Sequence, residues 1–227
     1  MKGFLLSSTL VFALVATVGA DIVFNTLGAG NTYDQSNAFL VTGPSSSVGS
    51  TFESAARFIA AAGGTLAQID LGLTIRNGAG GPVNVYLYGD DSGSPDNLSQ
   101  ILLGSATPTQ LFGTTNNSIV SLIPASSVPV NSGTAYWLVL KPGSSITDDD
   151  WNRSLGTSGV QDVSTDDVNW VQANSTLAAF RITAVPEPST MALPILTLVF
   201  LVIYRVFRFC APGSAAKVIE SLRRPNT

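Results

Sequence analysis

Carboxylates, hydroxyls and aromatic rings are the side chains on which this 227-residue chain could build chemistry, because it contains no histidine. That absence removes the usual general base and the usual imidazole ligand, and with them every Ser-His-Asp or Cys-His arrangement. The lone cysteine, Cys210, stands in a basic C-terminal stretch, so neither an internal disulfide nor a thiolate–imidazole zinc site can form. Glycoside hydrolysis needs only two carboxylates in a cleft. Residues 21–187 hold just two glutamates, Glu53 and Glu187, and most of their aspartates stand in Ser/Gly-rich stretches that favour turns. The chain reads as no enzyme, with a glycoside hydrolase only the third of three functional classes.

Two constellations suggest ligands. Asp90, Asp91 and Asp96 flank Ser92-Gly93-Ser94-Pro95, which gathers carboxylates and hydroxyls as a Ca2+ ion requires. The spacing is not that of an EF-hand, since Leu102 stands where the bidentate glutamate belongs. A solvated turn between strands accounts for the same residues, and no cofactor beyond such a Ca2+ ion is expected. Asp148-Asp149-Asp150 reads in the same way. The rings of Tyr86, Tyr88, Trp137, Trp151 and Trp170 could stack on sugars. Packing within a core explains them equally well.

The third constellation is a substrate rather than a catalyst. In Val185-Pro186-Glu187-Pro188-Ser189-Thr190 the two prolines lack amide donors and push the residues before them into extended geometry. An exposed extended peptide is what a protease or transpeptidase cleft accepts. The apolar run 191–204 comes next, and then Arg205 and Arg208. Fourteen residues reach only ~21 Å at ~1.5 Å per residue, so a span of about 189–207 is needed to approach the ~30 Å bilayer core. Motif, apolar helix and basic stop together resemble the PEP-CTERM sorting signal of Gram-negative bacteria, and residues 185–189 match its motif one by one. The resemblance implies processing by a membrane exosortase and a link to extracellular polysaccharide.

The N-terminus agrees. Lys2, the apolar stretch 4–18 and Val18-Gly19-Ala20 predict a signal peptide over residues 1–20, with a signal peptidase releasing Asp21. Charge divides the rest of the chain. Residues 21–187 carry five Lys or Arg against fourteen Asp or Glu, a net of −9, whereas Arg205, Arg208, Lys217, Arg223 and Arg224 against Glu220 give the end of the chain +4. The positive-inside rule leaves the tail 209–227 in the cytoplasm and exports the acidic body. An acidic body also argues against nucleic acid as a partner.

Residues 21–184 are long enough for one ordinary domain. Short runs rich in β-branched and aromatic residues predict strands at 22–27, 38–42, 55–60, 66–76, 83–88, 101–103, 119–122, 135–140, 170–172 and 178–184. The expectation is an all-β fold, a β-sandwich or jelly-roll ectodomain between a signal peptide and a single C-terminal transmembrane helix. Leu87-Tyr88-Gly89-Asp90-Asp91-Ser92-Gly93-Ser94-Pro95, Gly133-Thr134-Ala135-Tyr136-Trp137-Leu138-Val139-Leu140 and Ala179-Phe180-Arg181-Ile182 carry a second resemblance, to the choice-of-anchor surface domains of type R. It implies a sandwich module without catalytic residues. The sequence therefore predicts an exported surface or matrix protein with a structural role linked to exopolysaccharide and biofilm. It is anchored in the membrane until an exosortase cuts near the motif. A non-catalytic carbohydrate-binding module is the alternative.

Overall fold

The computed structural model describes residues 19–187 apart from Ala79 and Thr115, with Asn174 and Ser175 described by backbone alone. The span 189–207, the tail 209–227 and nearly all of the expected signal peptide lie outside the described residues. Among the described residues no helix is long and apolar enough to cross a membrane.

The body is all-β, two stacked sheets whose ladders are antiparallel. In the smaller sheet β1 (Asp21–Asn25) pairs with β13 (Phe180–Val185), which pairs with β4 (Gly64–Leu71); β8 (Val120–Leu122) and β9 (Pro129–Val130) both pair with β4. The larger sheet runs β12 (Val171–Ala178), β11 (Asp148–Ser164), β3 (Glu53–Ile59), β10 (Ala135–Pro142), β6 (Val83–Asp91), β7 (Ser94–Ala106). β2 (Asp34–Thr42) and β5 (Leu73–Ile75) add to it by pairing with the first residues of β11.

Period-two alternation decides what lies between the sheets. Val83, Val85 and Leu87 of β6 and Leu138 and Leu140 of β10 join Ile69, Leu71, Phe180 and Ile182 of the smaller sheet in one buried cluster. Their alternates, Tyr86, Tyr88, Trp137 and Val139, face outward and form a second cluster with Ala55, Val160 and Trp170. Trp151 belongs to the inner cluster, its ring 5.6 Å from that of Phe180.

Three expectations change. The strand predicted over 66–76 breaks at Gly72, whose N–H donates to Ala179 O and whose carbonyl accepts from Asn152 N, each at 2.9 Å. There the chain leaves the smaller sheet as β4 and enters the larger as β5, while at Ala179 it makes the reverse crossing from β12 to β13. Strands that switch sheets make the corners of a sandwich. The second change is β11, the longest strand, in a region that reads mostly as turns. Its apolar positions are too sparse to alternate, because it pairs on both sides along much of its length and hydrogen-bonds much of its polar content internally. The short β9 is a further strand outside the predicted set.

Asn152 holds the corner together. Its side-chain amide donates to Gly72 O at 3.0 Å and to Thr74 Oγ1 at 2.9 Å, and its backbone carbonyl accepts from Ala179 N at 2.8 Å. Asn152→Ala leaves Gly72 O bonded to the backbone N–H of residue 152 but strips the buried Thr74 Oγ1 of this donor and empties the space of the amide, and is expected to cost about 2–3 kcal/mol. For a domain of this size that is a fall of roughly 5–10 °C in Tm, measurable by thermal unfolding.

Candidate functional site

Val185, the first residue of the Pro-rich motif, is also the last residue of β13. It pairs with Thr65 of β4. Gly64 makes this seat possible. Its φ of +146° is rarely adopted by L side chains, and a Cβ there would collide with the Val185 carbonyl oxygen. Pro186 and Glu187 continue past the strand end and border a cavity of about 300 Å3 with Gly63, Val130, Asn131 and Ser132. Val185 and Glu187 are exposed. Pro188, Ser189, Thr190, Arg205 and Arg208 lie outside the described residues.

The other end of the body meets this one. β1 begins at Asp21, the residue expected to come directly after the signal-peptide cut, and Asp21 stands opposite Ala184 on the neighbouring strand. The two expected processing points therefore lie side by side at one end of the smaller sheet.

The aromatic residues are not a platform. Trp137, Trp151 and Tyr88 are each 0% exposed, whereas a ring must be bare on one face to stack on a sugar. This corrects the stacking expectation for those three, while Tyr86 and Trp170 are partly buried. On the outer face the rings are tied into a charged network. Trp137 Nε1 donates to Asp90 Oδ1 at 2.8 Å, and Arg57 donates through Nε and Nη2 to both oxygens of Asp90, at 2.6 and 2.9 Å. The Tyr88 hydroxyl lies 3.0 Å from both Asp167 Oδ1 and Gln100 Oε1. Burial, and then the nearby Asp167 charge, holds that phenol above its ordinary range. Lys141 pairs with Asp167 and places its ammonium 4.7 Å from the Tyr86 ring centroid and 5.1 Å from that of Tyr88. Trp170 Nε1 reaches Asn97 Oδ1 at 3.3 Å. The segment after β11 thus lies over this face as a cover.

Glu53, 7% exposed, borders the same network. Burial, and next the charge of Asp167, pushes its carboxyl up to about 7. Asp162, 4% exposed on β11, is pushed up to about 6 by burial alone.

The stretch 90–96 is a tight hairpin. Ser92 and Gly93 have φ of +54° and +95°, as a two-residue turn between β6 and β7 requires. Asp90 is engaged by Arg57 and Trp137, and the Arg57 hydrogen bond leads the effects that hold its carboxyl below the usual range. Asp91 accepts from Ser92 Oγ at 3.3 Å, and Asp96 accepts from Leu98 N at 2.9 Å in a local turn. The three carboxylates are spent on separate partners, which corrects the expected grouping around one ion. Among the described residues no group of three or more His, Cys, Asp or Glu gathers as a metal would require.

The carboxylates that sequence reasoning misplaced are Asp148, Asp149 and Asp150. They open β11 between β2 and β5 and are 5%, 0% and 0% exposed. Asp148 Oδ2 accepts from Ser47 N at 2.9 Å, Asp149 Oδ2 from Gly81 N at 3.2 Å and Asp150 Oδ1 from Arg76 Nη1 at 3.0 Å. The second oxygen of each has no hydrogen-bond partner. Burial is the main cause raising both Asp149, to about 7, and Asp150. The pairing with two strands was the missing information, since three aspartates in a row carry no strand signal of their own. Neither a family model nor a curated protein matches this chain.

Proposed function

We propose that this chain is the precursor of an exported surface or extracellular-matrix protein, cut by an exosortase near Pro186-Glu187-Pro188 and serving a structural role in a polysaccharide matrix. The observation that carries the reading is the pairing of Asp21 with Ala184. A cut after Ala20 and a cut at or just after Pro186 would leave every strand of the body in place, because β1 starts and β13 ends at those two points. In the precursor, both membrane-directed segments would leave from one end of the smaller sheet. The body would then resemble a choice-of-anchor module, whose attachment is decided by the segment C-terminal to it.

Tyr88 and Trp137 of the outer face are covered by the body itself, and Arg57 and Lys141 beside them are paired with Asp90 and Asp167, so the structural role is favoured over sugar binding by an aromatic platform. The absence of histidine, which removes the commonest general base, supports a non-catalytic body.

Glu187 tests the signal apart from the fold. It is exposed, so Glu187→Gln is expected to change stability by less than ~0.5 kcal/mol. A basic enzyme cleft that loses a charge-assisted contact forfeits about 1.5–3 kcal/mol, roughly a tenfold or greater loss in recognition. The readouts are the Tm and the ratio of full-length to shortened protein in cells. Parental processing of the variant would remove Glu187 from the signal and leave the segment an ordinary linker.

A further inference from the structure

The connection between β11 and β12, residues 165–170, folds back over the outer face of the larger sheet, and Asp167 fixes it there. Its φ of +61° lies in the left-handed region, uncommon for a residue with a side chain. Three strands of the face hold it in place. The Asp167 carboxylate pairs with Lys141 of β10 and lies 3.0 Å from the Tyr88 hydroxyl of β6, while its backbone amide donates to the Glu53 carboxylate of β3. The turn itself is closed by Asp166 Oδ1, which accepts from Val168 N at 3.0 Å and Asn169 N at 2.8 Å. Glu53 is the weak member of this set. It is 7% exposed and its Oε2 has no hydrogen-bond partner. The groups that face it are Asp166 and Asp167 of the connection, Lys141 of β10, and Tyr86 and Tyr88 of β6. On β11, Ser164 is opposite Glu53 and Asp162 opposite Ala55, which leaves Asp162 diagonal to Glu53. Neutral Glu53 adds no charge beneath the connection. Ionised, it sets a third carboxylate beside Asp166 and Asp167 with one ammonium among them, in a site closed to water.

We propose that the 165–170 connection is a pH-gated cover, closed over Tyr86 and Tyr88 while Glu53 is neutral and opening locally once Glu53 ionises. The direction follows from where the proton is held more tightly. In the closed state the Glu53 carboxyl is pushed from 4.5 up to about 7, mainly by burial. Lifting the connection removes the Asp167 amide and both aspartates and lets water reach the carboxylate, which returns it toward its ordinary value. The closed state therefore binds the proton more tightly, and opening is promoted as pH rises through 7. The body then shields the outer-face rings in acid and uncovers them in mild alkali. The device belongs to the body alone and does not rest on processing at either end of the chain.

Amide hydrogen exchange of the full chain at pH 5.5 and pH 8 tests it, with each rate divided by that of an unstructured peptide at the same pH. Protection of residues 165–170 should fall by at least about tenfold from pH 5.5 to pH 8. At pH 8 it should also lie at least about tenfold below the protection of β10, which marks the opening as local rather than global. Glu53→Gln keeps an acceptor for the Asp167 amide and carries no charge, so its 165–170 protection should change less than about threefold over the same range. Protection of 165–170 that is flat with pH in the parent, equal protection of 165–170 and β10 at pH 8, or a parental fall in Glu53→Gln would each overturn the proposal.

Discussion

Replacing Arg181 with methionine is expected to lower the free energy of unfolding by about 3–5 kcal/mol, since it strands a buried carboxylate. Asp70 stands opposite Arg181 on the β13–β4 ladder and opposite Ser121 on the β4–β8 ladder. Its side chain is 3% exposed. Arg181 donates to Asp70 Oδ2 through Nε at 2.9 Å and Nη2 at 2.6 Å, while Gln68 Nε2 and Ser121 Oγ each donate to Oδ1 at 2.6 Å. Burial by itself would raise the Asp70 carboxyl, but the hydrogen bonds from Ser121, Gln68 and Arg181 together hold it below the ordinary value. Methionine keeps much of the length of the side chain and removes both donors to Oδ2, so the loss is electrostatic rather than a cavity. At roughly 2–4 °C per kcal/mol, Tm should fall by roughly 8–15 °C. Adding Asp70→Leu to Arg181→Met should recover much of this loss, because a pair replaced by apolar groups leaves no orphan charge. A single variant within about 1 kcal/mol of the parent would mean that the pair does not hold the smaller sheet together.

The second large effect is a dependence on pH that runs opposite to ordinary acid denaturation. Glu53 is raised from 4.5 to about 7 in the fold. A group raised in this way binds its proton more tightly folded than unfolded. Its contribution is complete below about 4.5 and is lost as pH rises through 7. Asp149, at about 7, and Asp162, at about 6, act in the same direction. Asp70 and Asp90, held low, lose their contribution only on further acidification. Stability should therefore be greater at pH 5 than at pH 8, with Glu53 supplying on the order of 2 kcal/mol of the difference. Glu53→Gln should match the parent at pH 5 and exceed it at pH 8. Equal slopes for the two proteins between pH 5 and 8 would contradict the placement of Glu53 in a desolvated site.

The fold class was legible because β6 and β13 alternate, with Val83, Val85 and Leu87 or Phe180, Ile182 and Ala184 on the inner face, while β10 is a continuous apolar run buried on both faces. The turn around Ser92-Gly93 was legible as a connection between strands, but not as a tight hairpin, since β7 begins at Ser94 rather than near 101. Long-range pairing stayed hidden. Nothing local marks 148–164 as a central strand, because Asp148, Asp150 and Asn152 are hydrogen-bonded by residues as distant as Ser47, Arg76 and Gly72. The aromatic residues misled for a related reason. Tyr88 and Trp137 do lie on the outer face, but the segment that covers them arrives from residues 167–170, and no periodicity within β6 or β10 reveals a cover. The motif at 185–190 was legible as sequence. Its seating at the end of β13, beside the start of β1, was not.

The intact mass of the mature protein from its native host tests exosortase processing most directly. One dominant species is expected, starting at Asp21 and ending within the motif around residues 186–188, with both β1 and β13 left whole. Residues 205–227 still attached in most molecules would contradict that processing and make the chain a tail-anchored membrane protein.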